Sequence, residues 1–408
     1  REDGGARNGR ETDSGRCADG NPCNARACPI GCGINNCRAD FDHDATNPAH
    51  TGNLTGRHRE DEDTLRAGIL QGQQIKGGRD PRHLPPHPSQ KIERMENQLT
   101  PDYPTEQLTI RSRILKSPGL KVIKKVGEGG MYTVWKAWDI ANQRLVAVKI
   151  LNREYAGNGE DVRAFRAEER TMETLRHPGI VEAYGFNNGN GNWFLIMEYV
   201  DGYTFADLLK RKQHIKEEDC LLICQSVAAA LDYAWNDFGL VHCDIKPENI
   251  MVNTEGVVKL TDLGISYEFK DLEGGIKEVP EYVTGTPAYI SPEQVYGDVE
   301  LDCRTDIYSL GATLYHLATG RVLFPGLDNE QTMRAHCDEE AQARDPRLYR
   351  PELSLGFSQL LEAMLVKNRD YRLSTWQDVF SMCKDVENGI AFKPRETPGN
   401  SSITLAAR

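Results

Sequence analysis

The sequence has no apolar run long enough to cross a bilayer. Its longest apolar stretch, Leu221 to Trp235, is interrupted by Gln225, Ser226 and Asp232. It falls short of the roughly 20 residues a span requires and reads as a buried helix. A basic stripe is also missing: the formal net charge is −12, whereas nucleic-acid binding by phosphate neutralisation needs clustered Lys and Arg. Aromatics and sustained periodicity are scarce in residues 1 to 100, which are rich in Gly, Asp, Arg, Asn and Pro. Such a stretch cannot bury enough apolar surface to fold alone. Hydrophobic content is 39%, below the globular average, and the deficit lies largely in this leader. The sequence shows no internal repeat, no recognisable sensor module and no signal for an oligomeric state.

Paired cysteines at zinc-ligand spacing are lacking too. Of the eleven cysteines, five lie in the leader (Cys17, Cys23, Cys28, Cys32, Cys37), separated by 5, 4, 3 and 4 residues. With no CxxC and no His at a ligand offset, a disordered leader is preferred there over a zinc knuckle or disulfide module. The other six (Cys220, Cys224, Cys243, Cys303, Cys337, Cys383) sit within apolar helical or strand patterns, where a reduced thiol behaves as a small hydrophobe. The chain as given, which starts at Arg1, is expected to be cytoplasmic.

What is present begins after the leader. A length of 408 residues exceeds one ordinary domain of about 100 to 200 residues and suits one large two-lobed unit with extra segments. Residues 1–107 are expected to be a disordered leader or linker, 108–386 the folded unit, and 387–408 a flexible tail marked by Lys393-Pro394 and Thr397-Pro398-Gly399. From Leu120 the pattern runs strand, Gly-rich turn, strand, strand, which is an antiparallel meander. Glu160 to Leu175 then carries apolar residues at helical spacing and stops at His177-Pro178, and strands follow near 180–184 and 193–199. From Thr204 the pattern turns helical, with helices expected at 205–212, 217–237, 292–296, 304–319, 329–337, 358–364 and 376–387, and short strands at 250–252 and 257–260. A small β lobe with one helix, about 108–199, thus precedes a larger, mainly helical lobe, about 200–386.

Several residues in this frame carry chemistry. Gly127, Gly129 and Gly130 stand between two strands, where a turn without side chains lets backbone N–H groups approach a polyphosphate; a plain hairpin would look the same. Val146-Ala147-Val148-Lys149 follows on the next strand but one, so Lys149 would face the phosphates while Val134 and Ala147 flank a base. A lysine in an apolar strand needs a partner, and Glu168 on the following helix supplies one. Then come Val241-His242-Cys243-Asp244-Ile245-Lys246-Pro247-Glu248-Asn249 and Leu260-Thr261-Asp262-Leu263-Gly264. Phosphoryl transfer has a diffuse anionic transition state, which calls for a metal held by Asp and Asn, a carboxylate that orients the hydroxyl, and a nearby cation.

With these motifs in order, the chain resembles the eukaryotic-type (Hanks-type) serine/threonine protein kinases, bacterial members in particular, over about two thirds of its length. The resemblance implies an α+β fold with two lobes, a protein-kinase-like fold. It implies Asp244 as catalytic base, Lys246 at the γ-phosphate, Asn249 and Asp262 as metal ligands, and Lys149 with Glu168 as an activating ion pair. Gly127, Glu128, Gly129, Gly130, Val134, Ala147, Lys149, Glu198, Val200 and Met251 would bind the nucleotide. ATP with Mg²⁺, or Mn²⁺, is the expected cofactor set, and a protein with a Ser or Thr acceptor the expected partner. The likeness extends to Gly285-Thr286-Pro287-Ala288-Tyr289, Ser291-Pro292-Glu293, the segment from Arg304 to Gly311, and Arg372. By analogy Glu293 pairs with Arg372 and Asp306 buttresses the catalytic loop, while Lys246 and Thr286 resemble the serine/threonine branch. A pseudokinase scaffold and a small-molecule kinase are the competing readings. Survival of every group that would touch metal or phosphate opposes the first, and the peptide-docking motifs oppose the second.

The chain departs from the family at three places. Tyr132 replaces the third glycine of the loop, which adds bulk and loses φ > 0 conformations; it either weakens nucleotide binding or caps the phosphates against water. Leu263 replaces the phenylalanine that usually follows the metal-binding aspartate. Cys243 replaces the arginine that clamps a phosphorylated activation loop, so activity is expected to depend little on that phosphorylation; only Ser266, Tyr267, Tyr282 and Thr284 are acceptors there. Cys243 itself reads as a core residue ahead of an oxidant sensor.

Overall fold

A computed structural model of the chain describes residues 119–189, 192–263, 267–268, 285–298, 300–390 and 401–404. The leader with its cysteines, Gly264, and the acceptors Ser266, Tyr282 and Thr284 lie outside the described residues. The small lobe is built on β1 (Leu120–Glu128), β2 (Tyr132–Asp139) and β3 (Arg144–Leu151), followed by α1 (Arg153–Ala156), α2 (Gly159–Thr174), β4 (Ala183–Gly189) and β5 (Asn192–Glu198). These strands form one antiparallel sheet in the order β1-β2-β3-β5-β4. β3 is central and almost wholly buried, which suits its run of branched apolar residues. That burial is what makes Lys149 costly unless it is paired.

The large lobe follows with β6 (Gly202–Thr204), α3 (Phe205–Lys212), α4 (Glu217–Phe238), β7 (Leu240–Val241), β8 (Ile250–Asn253), β9 (Val258–Leu260) and β10 (Tyr267–Glu268). Helices α5 (Pro292–Tyr296), α6 (Cys303–Thr319) and α7 (Asn329–Cys337) come next, then β11 (Ala343–Arg344), α8 (Leu355–Met364), α9 (Trp376–Glu387) and β12 (Ile403–Thr404). Helix α4 opens on Glu217, Glu218 and Asp219, which suit a helix N-terminus, and stops at Gly239 in the left-handed region (φ 64°). α4 and α6 form the centre of the lobe, with Ile223, Leu231, Leu310 and Leu314 buried against Phe357, Leu360 and Trp376 from α8 and α9. No helix among the described residues is long and apolar enough to cross a membrane.

Two expectations need correction. The strand expected at 180–184 starts at Ala183, because the preceding residues bond to β9 instead: Leu260 N–H donates to Gly179 O and Val181 N–H to Leu260 O. This ties the small lobe to the strand that leads into Asp262. The tail from 387 was expected to be flexible, yet residues 401–404 pack against the large lobe. β12 pairs in parallel with β11, Ser402 N–H donates to Leu365 O, and the Ser402 hydroxyl lies 2.6 Å from Tyr308 Oη. Two polar serines in a Pro-rich stretch carry no periodic signal, so only the buried partners waiting for them explain the docking.

Candidate active site

Two clusters assemble, the first joining the small lobe to Asp262 and the second within the large lobe. In the first, Lys149 Nζ donates to Glu168 Oε1 (2.7 Å) and Oε2 (2.8 Å) and to Asp262 Oδ1 (2.9 Å). The ion pair forms because α2 lies across the face of β3 from which Lys149 projects; Lys149 is 3% exposed and Glu168 5%. Burial would lower the lysine, but Glu168 and then Asp262 hold it charged and above its usual range. Burial pushes Glu168 up to about 7, only partly offset by Lys149. Burial opposes ionisation of Asp262 as well, yet Lys149 and a hydroxyl bond from Tyr132 bring it down to about 2.

The second cluster lies on the loop between β7 and β8. Asn249 Nδ2 donates to Asp244 O (2.9 Å) and Oδ2 (3.1 Å). Lys246 Nζ is 2.7 Å from Asp244 Oδ2 and donates to Thr286 Oγ1 at 2.8 Å, and that hydroxyl donates to Asp244 Oδ1 at 2.6 Å. The loop is held from below: Asp306, on buried α6, accepts the backbone N–H groups of His242 (2.7 Å) and Cys243 (2.9 Å). Burial pushes Asp306 up to about 6 against those two bonds and His242. Cys243 (φ 67°) and Asp262 (φ 64°) both occupy the left-handed region, uncommon for residues with a side chain and found most often where surroundings enforce it at functional sites.

The clusters meet along the backbone, since Thr261 N–H donates to Asn249 O at 3.0 Å. Asn249 and Asp262 are thus brought side by side. Asn249 uses its amide nitrogen on Asp244, leaving its Oδ1 as an acceptor. An amide oxygen and a carboxylate are the hard donors that a magnesium ion prefers when phosphates and water complete its shell, so the residues fit that group.

Of the residues expected to contact a nucleotide, Val134, Ala147, Val200 and Met251 join one apolar cluster with Leu195, Met197 and Leu260. Two others face elsewhere. The Glu128 carboxylate, 69% exposed, pairs with Lys125 at 2.8 Å, and the Glu198 carboxylate is engaged by Lys259 at 2.9 Å. Tyr132 was read as a loop-tip residue, but its hydroxyl reaches Asp262. Strand alternation carries the signal for this: Tyr132 and Val134 are two apart on β2, so both point to the face that Lys149 shares. Beside the second cluster a cavity of about 640 Å³ is lined by Leu209, Lys210, His214, Glu248, His316 and Arg321, among others.

Comparison with known proteins gives a consistent outcome. Residues 120–383 match the family described as protein kinase domain. A probable serine/threonine-protein kinase of Clostridium perfringens is 39% identical over 54% of this chain and 32% of its own. One from Streptomyces coelicolor is 35% identical over 64% of this chain and 38% of its own. The serine/threonine-protein kinase PrkC of Bacillus subtilis is 30% identical over 64% and 39%. The matches thus span between 32% and 39% of the length of these relatives.

Proposed function

The chain belongs to the protein kinase domain family, and on that premise we propose that it is an ATP-dependent kinase that phosphorylates serine or threonine on proteins. The observation that carries this reading is the Asp244 carboxylate, bonded at once to Lys246, Asn249 and the Thr286 hydroxyl. A carboxylate that accepts from an aliphatic alcohol at 2.6 Å is set to accept from a substrate alcohol in the same place. Asp244 would take the proton as the acceptor oxygen forms its bond to the γ-phosphorus, while the bond to the bridging oxygen breaks and ADP leaves. Lys246 would neutralise charge on the transferred group, and Lys149, fixed by Glu168, would orient the phosphates. Asn249 and Asp262 would hold Mg²⁺, which supplies charge neutralisation along the phosphates. The cavity beside Glu248 would receive the peptide that flanks the acceptor. A cytoplasmic location fits the requirement for ATP.

Cys243 belongs to the same reading. It is buried with Val241 and Leu301 and offers no guanidinium to a phosphorylated loop, which supports an activity little governed by such a phosphate. The reading is tested with wild-type protein and Asp244→Asn, given ATP, Mg²⁺ and a generic protein substrate, followed by mass spectrometry of the products. The substitution is expected to cut transfer to Ser and Thr by about 10²- to 10⁴-fold. Equal turnover by the two proteins, or transfer to small molecules alone, would overturn it.

A further inference from the structure

We infer that Tyr132 competes with the nucleotide for the groups that would hold its phosphates, and so sets how tightly this site binds. The inference rests on the proposed nucleotide site. The Tyr132 ring lies against the glycine turn: a Cβ placed on Gly129 would meet ring atoms at 3.3 to 3.6 Å. The Gly129 N–H, the kind of donor a phosphate would use, is bonded to Tyr132 O at 2.8 Å. Lys149 Nζ stands 3.9 Å from the ring centroid, a cation over an aromatic face. The hydroxyl ends on Asp262 Oδ2, one of the two oxygens a metal would take. The residue thereby engages the three elements expected to hold the triphosphate: its ring lies on the turn and under the lysine, its hydroxyl holds the metal-binding carboxylate, and its main-chain carbonyl, which no substitution removes, takes the Gly129 N–H.

This arrangement is self-contained. Lys149 has three protons, and Glu168 and Asp262 take them all, so the ring adds attraction without using a donor. When a metal nucleotide enters, Tyr132 must give up Asp262 and leave the space above Lys149. Apparent affinity is then the intrinsic affinity scaled by the fraction of molecules in which the ring has left. The ring and the hydroxyl contribute separately and can be removed separately.

The experiment titrates adenylyl imidodiphosphate, with and without Mg²⁺, into the full chain by calorimetry, using wild type, Tyr132→Phe and Tyr132→Ser. Far-UV circular dichroism and the unfolding midpoint are recorded beside each titration. Tyr132→Ser is expected to bind about tenfold or more tightly than wild type. Tyr132→Phe should fall between them, with a larger gain in the presence of Mg²⁺ because only the hydroxyl contests Asp262. Wild type binding with neither folded variant tighter overturns the inference and leaves the kinase reading standing. Weaker binding by the variants also overturns it, since the phenol would then cap the phosphates. Absence of binding by all three folded proteins removes the nucleotide reading itself, and the inference falls with it.

Discussion

Lys149–Glu168 in the small lobe and Arg372–Glu293 in the large lobe are both buried ion pairs of a cation and a glutamate, at 2.7 and 2.6 Å, but their surroundings differ. Arg372 spends every donor on fixed protein acceptors: Glu293 twice, and the carbonyls of Val366, Arg304 and Lys367. Glu293 also takes the Thr305 hydroxyl, and Arg372, with those bonds, holds its carboxyl below the usual range although burial opposes this. Lys149 shares its protons between Glu168 and Asp262, the latter proposed above to hold a metal, and Glu168 is pushed up toward neutrality by burial. A closed pair with all partners in the protein is a structural fastening. A pair that leaves one carboxylate half committed to a lysine and half to a tyrosine is built to exchange partners.

The sharpest way to break this comparison is at Arg372. Arg372→Leu strands Glu293 without its cation and is expected to cost about 3 to 5 kcal/mol of stability, read as the urea unfolding midpoint; a loss under about 1 kcal/mol would mean that the pair is not closed. Lys149→Met should divide the other way. Phosphoryl transfer falls by about 10²- to 10³-fold, while the fold survives, because burial already pushes Glu168 toward its neutral form and it can take a proton in place of the lost lysine. If the unfolding midpoint falls as far as in the arginine variant, the two pairs do the same job.

The smallest effect concerns His336, whose Nδ1 meets Tyr308 Oη at 2.7 Å; the same tyrosine lies under the Arg372 guanidinium. Burial, then Lys367, depresses His336 to about 3. The unfolded chain takes up this proton near pH 6.5 and the folded chain does not. The stability it supports is therefore full above pH 6.5 and declines as pH falls toward 3, by up to about 1.4 kcal/mol per unit. Between pH 6.5 and 5 the wild type should lose about 1.6 kcal/mol more than His336→Gln in urea titrations; parallel profiles would remove His336 from the closed network.

The contrast also accounts for what the sequence made legible. Elements whose own residues specify them were readable in full: α3, α5, α7 and α9 begin and end where their periodicity and caps indicate. The pairing of Glu293 with Arg372, 79 residues apart, and the bonds that Asp306 accepts from the loop before Asp244 were accessible only through the family resemblance. Features that arise when distant segments meet were not. Strands β6, β7 and β10 are only two or three residues long and have no pattern apart from their partners. Tyr132 was visible as a substitution, but its bond to a residue 130 positions away depends on how the sheet faces β9.

The docking of residues 401–404 changes where the domain ends. The family match stops at residue 383, and a chain cut there, or after α9, would look complete by sequence. It would nevertheless leave Tyr308 with one of its two hydroxyl partners, the β11 backbone without its neighbour, and Leu365 O without a donor. Buried polar groups abandoned in this way cost about 1 to 3 kcal/mol each. The packing of the large lobe thus reaches residues 401–404, beyond the stretch that the family match outlines.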